Sequence, residues 1–168
     1  MDIRKFIFGF LTGFFTLLSV LILFLYSHIH TSDINLKNLK MKSLDGKSIN
    51  VTTNLKQPIV INVWATWCAP CIAEFPDFLK VKNKFKNVQF YFLTDEKASK
   101  IILFNSKKKL DLKFVTSNQD FKKLGLNIRP ITYFYDCNGK FYDKINGDTT
   151  EEELNKILTN LQKVKPQN

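Results

Sequence analysis

The strongest constraint on this chain lies at its N-terminal end. From Phe6 to Tyr26 no residue carries a charge; the run is FIFGFLTGFFTLLSVLILFLY, 21 residues. As a helix it spans about 30 Å, the hydrocarbon thickness of a bilayer, and a buried core helix would be shorter and carry polar positions at helical period. Arg4 and Lys5 precede it. Ser27, His28, Ile29 and His30 follow, then Asp33, and the next cation is Lys37. Positive charge on the N-terminal side predicts a cytoplasmic N-terminus with the rest of the chain outside. A cleaved signal peptide has an apolar core of about 7–15 residues and a small-x-small cleavage site. Here the run is longer, no Ala-x-Ala follows it, and no Cys precedes Cys68 to accept a lipid. The expectation is therefore a single transmembrane signal-anchor helix over residues 6–26 within an anchor segment 1–26. His28 and His30 would be interfacial.

The remainder divides into a tether, residues 27–38, and one domain of ordinary size, residues 39–165. Only Asp2, Arg4 and Lys5 are charged in the first 26 residues, so nearly all of the net charge of +10 belongs to the rest. The excess is almost wholly lysine, and no nucleic-acid motif accompanies it. It reads as a solvated basic surface rather than a nucleic-acid site.

Two short strands are predicted within 39–51, around the hairpin turn Asp45-Gly46. The β-branched run 58–64, PIVINVW, predicts a buried strand. A helix should follow from about Cys68 to Lys84, with Ile72, Phe75, Phe78, Leu79 and Val81 recurring at spacings of three and four. A strand is predicted at 88–93, a helix at 96–108, a brief strand at 114–116 and a short helix at 119–124 ended by Gly125. A hairpin over 131–135 and 140–145 turns at Asn138-Gly139. A last helix opens with a capping box, Thr150 and Glu153, and runs to about Val164. The order hairpin, βαβ, αβ, ββα predicts an α/β fold: a central mixed sheet with helices on both faces and an N-terminal β-hairpin.

The chemistry gathers at one strand-to-helix junction, Trp64-Ala65-Thr66-Trp67-Cys68-Ala69-Pro70-Cys71. A C-x-x-C pair serves zinc sites too, but zinc needs further ligands. The chain offers only Cys137, and no His after His30. The redox reading is left: two thiols one helical turn apart, able to close a disulfide. Cys68 at the helix N-terminus is favoured as a thiolate by unpaired N–H groups and the helix dipole, and the thiolate is the attacking form. Cys71, one turn in, is the resolving thiol. Pro70 suits the first helical turn.

The stretch VINVWATWCAPCIAEFP, residues 60–76, resembles the thioredoxin-like superfamily. More narrowly it resembles the membrane-anchored TlpA/ResA-like thiol-disulfide oxidoreductases, the redoxin or AhpC/TSA-like group, which read W-x-T-W-C-x-P-C-x-x-E-x-P. Trp64, Thr66, Trp67, Cys68, Pro70, Cys71, Glu74 and Pro76 fill that pattern. LNIRPITYFYDCNGK, residues 126–140, resembles the family's strand opened by a cis-proline.

The resemblance implies a thioredoxin-like fold and a set of roles. Cys68 and Cys71 match the redox pair. Pro130 matches the cis-proline whose loop faces the cysteines and pairs with substrate backbone. Glu74 matches an acidic residue that influences thiol protonation. Asn62 stands where ordinary thioredoxins carry a buried Asp, and Asn takes no proton, so Glu74 is the expected acid/base group. Trp67, Ala69, Pro70 and Arg129 are expected at the substrate surface, with Arg129 placing a cation near Cys68. Trp64 reads as core. Cys137, in a turn after a strand, is expected at the surface without an assigned role.

No metal is expected, and no cofactor beyond the redox-active Cys68–Cys71 disulfide. The implied activity is reduction of partner-protein disulfides on the periplasmic or extracytoplasmic side of a bacterial inner membrane. Apocytochrome c or copper-site proteins would be clients, and a membrane thiol donor of CcdA/DsbD type would supply electrons. A disulfide oxidase or isomerase on the same fold is the alternative. A copper-delivery protein of the Sco type is less favoured, because that group needs C-x-x-x-C plus a distal His.

Overall fold

The structure, a computed structural model, describes residues 12–23, 34–51 and 55–166. The chain divides into two compact units, Met1–Ser32 and Asp33–Asn168. In the first, residues 12–23 form helix α1. Among the described residues no helix is long and apolar enough to cross a membrane. Both ends of the expected span 6–26, and His28 and His30, lie outside the described residues.

The second unit carries a 3-10 turn (Leu36–Asn38), β1 (Met41–Ser43), β2 (Ser48–Ile49), β3 (Ile59–Val63), α2 (Ala69–Ala73), α3 (Phe75–Lys84), β4 (Gln89–Thr94), α4 (Ala98–Lys108), β5 (Phe114–Thr116), β6 (Ile131–Tyr135), β7 (Phe141–Asn146) and α5 (Glu151–Leu161). The seven strands form one mixed sheet in the order β2-β1-β5-β4-β3-β6-β7. β3, β4 and β5 run parallel, whereas β6 is antiparallel to β3 and β7 to β6. Asp45-Gly46 turns the β1/β2 hairpin, with Gly46 at φ 88°, a conformation glycine adopts without steric cost.

β3 is central, and all five of its residues are buried, as its β-branched run requires. Alternation along the strands splits the core in two. Val60, Phe90, Phe92, Phe114 and Phe134 face α3, α4 and α5, where they meet Phe75, Phe78, Ile101, Leu154 and Leu158. Ile59, Ile61, Val63, Tyr91, Leu93 and Tyr133 face the other way, toward Leu36, Leu39, Phe121 and Leu126.

That second face corrects one expectation. The short helix predicted at 119–124 is a run of turns over residues 121–125. Leu124 N–H reaches Asp120 O as a single helical turn, and Gly125 at φ 72° ends it. One hydrogen bond of the i→i−4 type does not offset the entropy of nucleating a helix, and only Phe121 and Leu126 are firmly buried there. The α-helices of this unit therefore pack on one face, and turns cover the other.

The helix predicted over 68–84 is broken at Glu74, which ends α2 and opens α3. Pro76 has no N–H to return to Ile72 O, and its ring crowds that carbonyl. The break turns Glu74 into the protein, where it is 3% exposed.

Candidate active site

The parallel strands β3 and β4 end side by side, with Val63 opposite Leu93, and Trp64 N–H donates to Leu93 O at 3.0 Å. The antiparallel β6 begins opposite the same end, Ile131 against Val63. Three connections therefore converge: residues 64–68 after β3, Asp95 and Glu96 after β4, and Arg129-Pro130 before β6.

Cys68 caps α2 in extended conformation, and its sulfur accepts from Cys71 N–H at 3.3 Å. The pair is closed as a disulfide with Cα atoms 5.3 Å apart. Both cysteines are buried, while Ala69 and Pro70 between them are exposed. The Arg129–Pro130 peptide is cis. Pro130 itself is buried, and its carbonyl accepts from Gly147 N–H.

A polar set lies behind the pair. Asn62 on β3 donates through Nδ2 to Glu74 Oε1 at 2.7 Å and to Thr132 Oγ1 at 3.0 Å. Glu74 Oε2 accepts from Thr149 N–H at 3.0 Å. Asn62, Glu74, Thr132 and Thr149 are all buried. Burial pushes the Glu74 carboxyl up to about 7 from an ordinary 4.5. The donors Asn62 and Thr149 oppose the rise, and nearby Asp148 adds to it. Asn62 thus serves as a fixed donor where a second carboxyl would compete for a proton.

A different set lies in front. Glu96 accepts from Thr66 N–H at 2.6 Å and from the Thr66 hydroxyl at 2.9 Å, and pairs with Lys100 on α4. Burial pushes the Glu96 carboxyl up, but Lys100 and the two Thr66 donors outweigh it and hold it below its ordinary value. Trp67, immediately before Cys68, is 66% exposed. Its ring stacks on the Arg129 guanidinium at 5.4 Å, and the ring of Phe121 lies at the same distance. Arg129 Nη2 meets Asp95 Oδ2 at 2.8 Å. The cation expected near Cys68 is therefore shared with Asp95, and its stacking orders Trp67.

Cys137 departs from expectation. It is 3% exposed, with Sγ 3.5 Å from Val164 O in the segment after α5. Burial raises its thiol above the ordinary value, with Asp136 adding to the effect. Trp64 is fully buried against Phe75, Phe104 and Phe114. Among the described residues no cluster of His, Cys, Asp and Glu is arranged to hold a metal.

Residues 33–144 match the AhpC/TSA family. The chain belongs to that family. It is 33% identical to a thiol-disulfide oxidoreductase ResA of Bacillus cereus, over 77% of this chain and 76% of that one. In fold it is similar to MTB DsbF, solved in mixed oxidised and reduced forms, with a TM-score of 0.64 at 24% identity over 77% of this chain and 99% of that one. It is likewise similar to a secreted Mycobacterium tuberculosis disulfide oxidoreductase homologous to E. coli DsbE, with a TM-score of 0.63 at 19% identity over 74% and 97%. This AhpC/TSA member is a thiol-disulfide oxidoreductase with a thioredoxin-like fold.

Several site residues escaped sequence reasoning. Thr149 contributes a backbone N–H, which leaves no trace in side-chain type. Asp95 and Glu96 did have a signal. They follow a strand parallel to the one that feeds the cysteines, and functional groups collect beyond the C-terminal ends of parallel strands.

Proposed function

We propose that the chain is a membrane-anchored, extracytoplasmic protein-disulfide reductase. The observation that carries the reaction is the Cys68–Cys71 disulfide at the head of α2, with the cis-Pro130 loop before it and the Glu74 carboxyl behind it. In the reduced protein the Cys68 thiolate attacks one sulfur of a partner disulfide. The partner's other sulfur leaves as a thiolate and takes up a proton. The Cys71 thiolate then attacks Cys68 Sγ in the mixed disulfide. The partner departs as a dithiol, and the protein is left oxidised by two electrons.

Glu74 is the proton-handling group in this reading. It lies one turn beyond Cys71, and a carboxyl titrating near 7 exchanges protons readily at neutral pH. Trp67 and the exposed Ala69-Pro70 edge form the docking surface for substrate, with Pro130 pairing to its backbone and Arg129 holding Trp67 in place. The uncharged run 6–26 and the cations before it support anchoring with the domain outside the cytoplasm. Apocytochrome c and copper-site proteins are the client classes implied by the ResA/TlpA likeness, with a CcdA/DsbD-type membrane donor restoring the dithiol.

The direction is tested by equilibrating the full-length protein with glutathione redox buffers and measuring the potential of the pair. A value near about −250 mV or below supports a reductase, whereas one near about −120 mV, typical of strong oxidants, assigns the oxidase alternative.

A further inference from the structure

Helix α4 buries one fully apolar residue, Ile101, and partly buries Phe104. Its neighbours Ile102 and Leu103 remain 52% and 60% exposed. Four consecutive residues, Ile101-Ile102-Leu103-Phe104, place apolar side chains around nearly the whole helix, about 300°, and the sheet takes up only part of them. Scattered apolar residues at a surface need no explanation, but Leu103 and Phe104 line a groove. The groove holds about 220 Å³ and is lined by Thr66, Lys100, Leu103, Phe104, Lys107 and Lys108. Its walls are mostly apolar. Small-molecule pockets run to about 300–1,000 Å³, so this volume suits one or two side chains of a docked segment.

The location ties the groove to the redox pair. Thr66 at its lip is two residues from Cys68 and immediately precedes the exposed Trp67. Phe104 stacks on Trp64 at 5.2 Å, which joins the groove to the aromatic cluster beneath the disulfide. The charges on the rim differ in availability. Lys100 is engaged by Glu96. Lys107 and Lys108 are exposed and have no acidic partner among the described residues.

We propose that this groove docks an extended segment of the disulfide-bearing partner protein, with an apolar side chain set against Leu103 and Phe104 and flanking carboxylates facing Lys107 and Lys108. The proposal rests on the exchange reaction above and names its substrate class: disulfides neighboured by an acidic, apolar stretch. Contiguity with the Trp67 loop favours a protein partner over a lipid surface, because an occupant here is held beside the bond to be exchanged. Rim charges of this kind tune specificity and encounter more than total affinity.

The test uses the reduced full-length protein in detergent and three disulfides. Two are peptides sharing one intramolecular disulfide and one tail length, with tails of leucine among glutamates or leucine among lysines. The third is oxidised glutathione. Two exposed charges, reversed together in K107E/K108E, are expected to swing the KM ratio of the two peptides by about tenfold. The wild-type protein should have the lower KM for the acidic tail, and the variant should lose or invert that preference. The ratio within each protein cancels any general effect on the redox centre.

Equal KM values for both tails on the wild-type protein, with normal exchange with glutathione, overturn the groove and leave the redox reading intact. No exchange with any of the three overturns the redox reading, and the groove with it. If the tails are not distinguished and the same lysines instead control sedimentation with phosphatidylglycerol vesicles, the face is a membrane contact and the proposal fails. A Leu103→Ser variant, which removes the apolar wall without adding charge, gives an independent check: KM for both peptides should rise, and an unchanged KM contradicts apolar docking.

Discussion

Glu74 and Glu96 flank the redox loop, one three residues beyond Cys71 and bonded to Asn62 and Thr149, the other bonded to Thr66 ahead of Cys68. Glu74 accepts from one backbone N–H and one neutral side chain, whereas Glu96 accepts from one backbone N–H, the Thr66 hydroxyl and the Lys100 ammonium. Their acidities move in opposite directions: Glu74 rises to about 7, and Glu96 falls below its ordinary value. The charge on the extra donor and the degree of burial separate them. Glu96 has Lys100 beside it and partial access to solvent, whereas Glu74 has neutral donors only, a nearby Asp148, and almost no solvent. Neutral donors offset part of the desolvation of a carboxylate, and a cation offsets the rest. The loop is thus held in front by a group that stays ionised and backed by a group that titrates at working pH.

The largest way to break this contrast is Glu74→Gln. In the folded chain Glu74 holds its proton up to about pH 7, while in the unfolded chain the proton leaves near 4.5. Between these values the folded state binds the extra proton, so stability falls as pH rises through the window. The full cost, about 3 kcal/mol, is present above it. Denaturant unfolding of the oxidised protein at pH 4.5 and 7.5 should show this slope, and E74Q should lose it. The exchange rate of E74Q should also lose its inflection near pH 7. A slope that survives the substitution belongs to another group.

Thr66→Val comes next. It removes one donor to an ionised carboxylate while keeping the shape, and should cost about 1.5 kcal/mol at neutral pH. The Glu74-dependent slope should be unaltered, because the two carboxylates share no partner. A change in that slope would show that the front and back of the loop are coupled.

Lys100→Met has the smallest expected effect. Lys100 is exposed, so loss of the pair should cost only about 0.5 kcal/mol. Its value lies in the titration: the Glu96 carboxyl, followed by NMR, should move up toward its ordinary range. A Glu96 that stays low would assign its acidity to Thr66 alone.

Much of the fold was legible because it depended on local pattern. The β-branched run 58–64, the Asp45-Gly46 hairpin and the capping box at Thr150 each specify an element within a few residues. The redox pair was legible because its chemistry resides in side-chain type, and the Pro130 loop because its motif resembles the family's cis-proline strand. What escaped depended on tertiary pairing. The break at Glu74 follows from Pro76, yet its burial follows from Asn62 and Thr149, 12 and 75 residues away. The Arg129–Asp95 pair joins separate loops, and no local pattern links them. Cys137 looked exposed because the turn was visible in sequence and the chain segment covering it was not.

The central claim is the division of labour between the cysteines, and trapping tests it most directly. Full-length Cys71→Ser and Cys68→Ser proteins are expressed in cells, thiols are blocked by alkylation, and mixed disulfides are resolved without reductant. The account predicts covalent partner adducts that accumulate on Cys68 of the Cys71→Ser protein and are absent from Cys68→Ser. Adducts of equal yield on both proteins, or on Cys68→Ser alone, would contradict it.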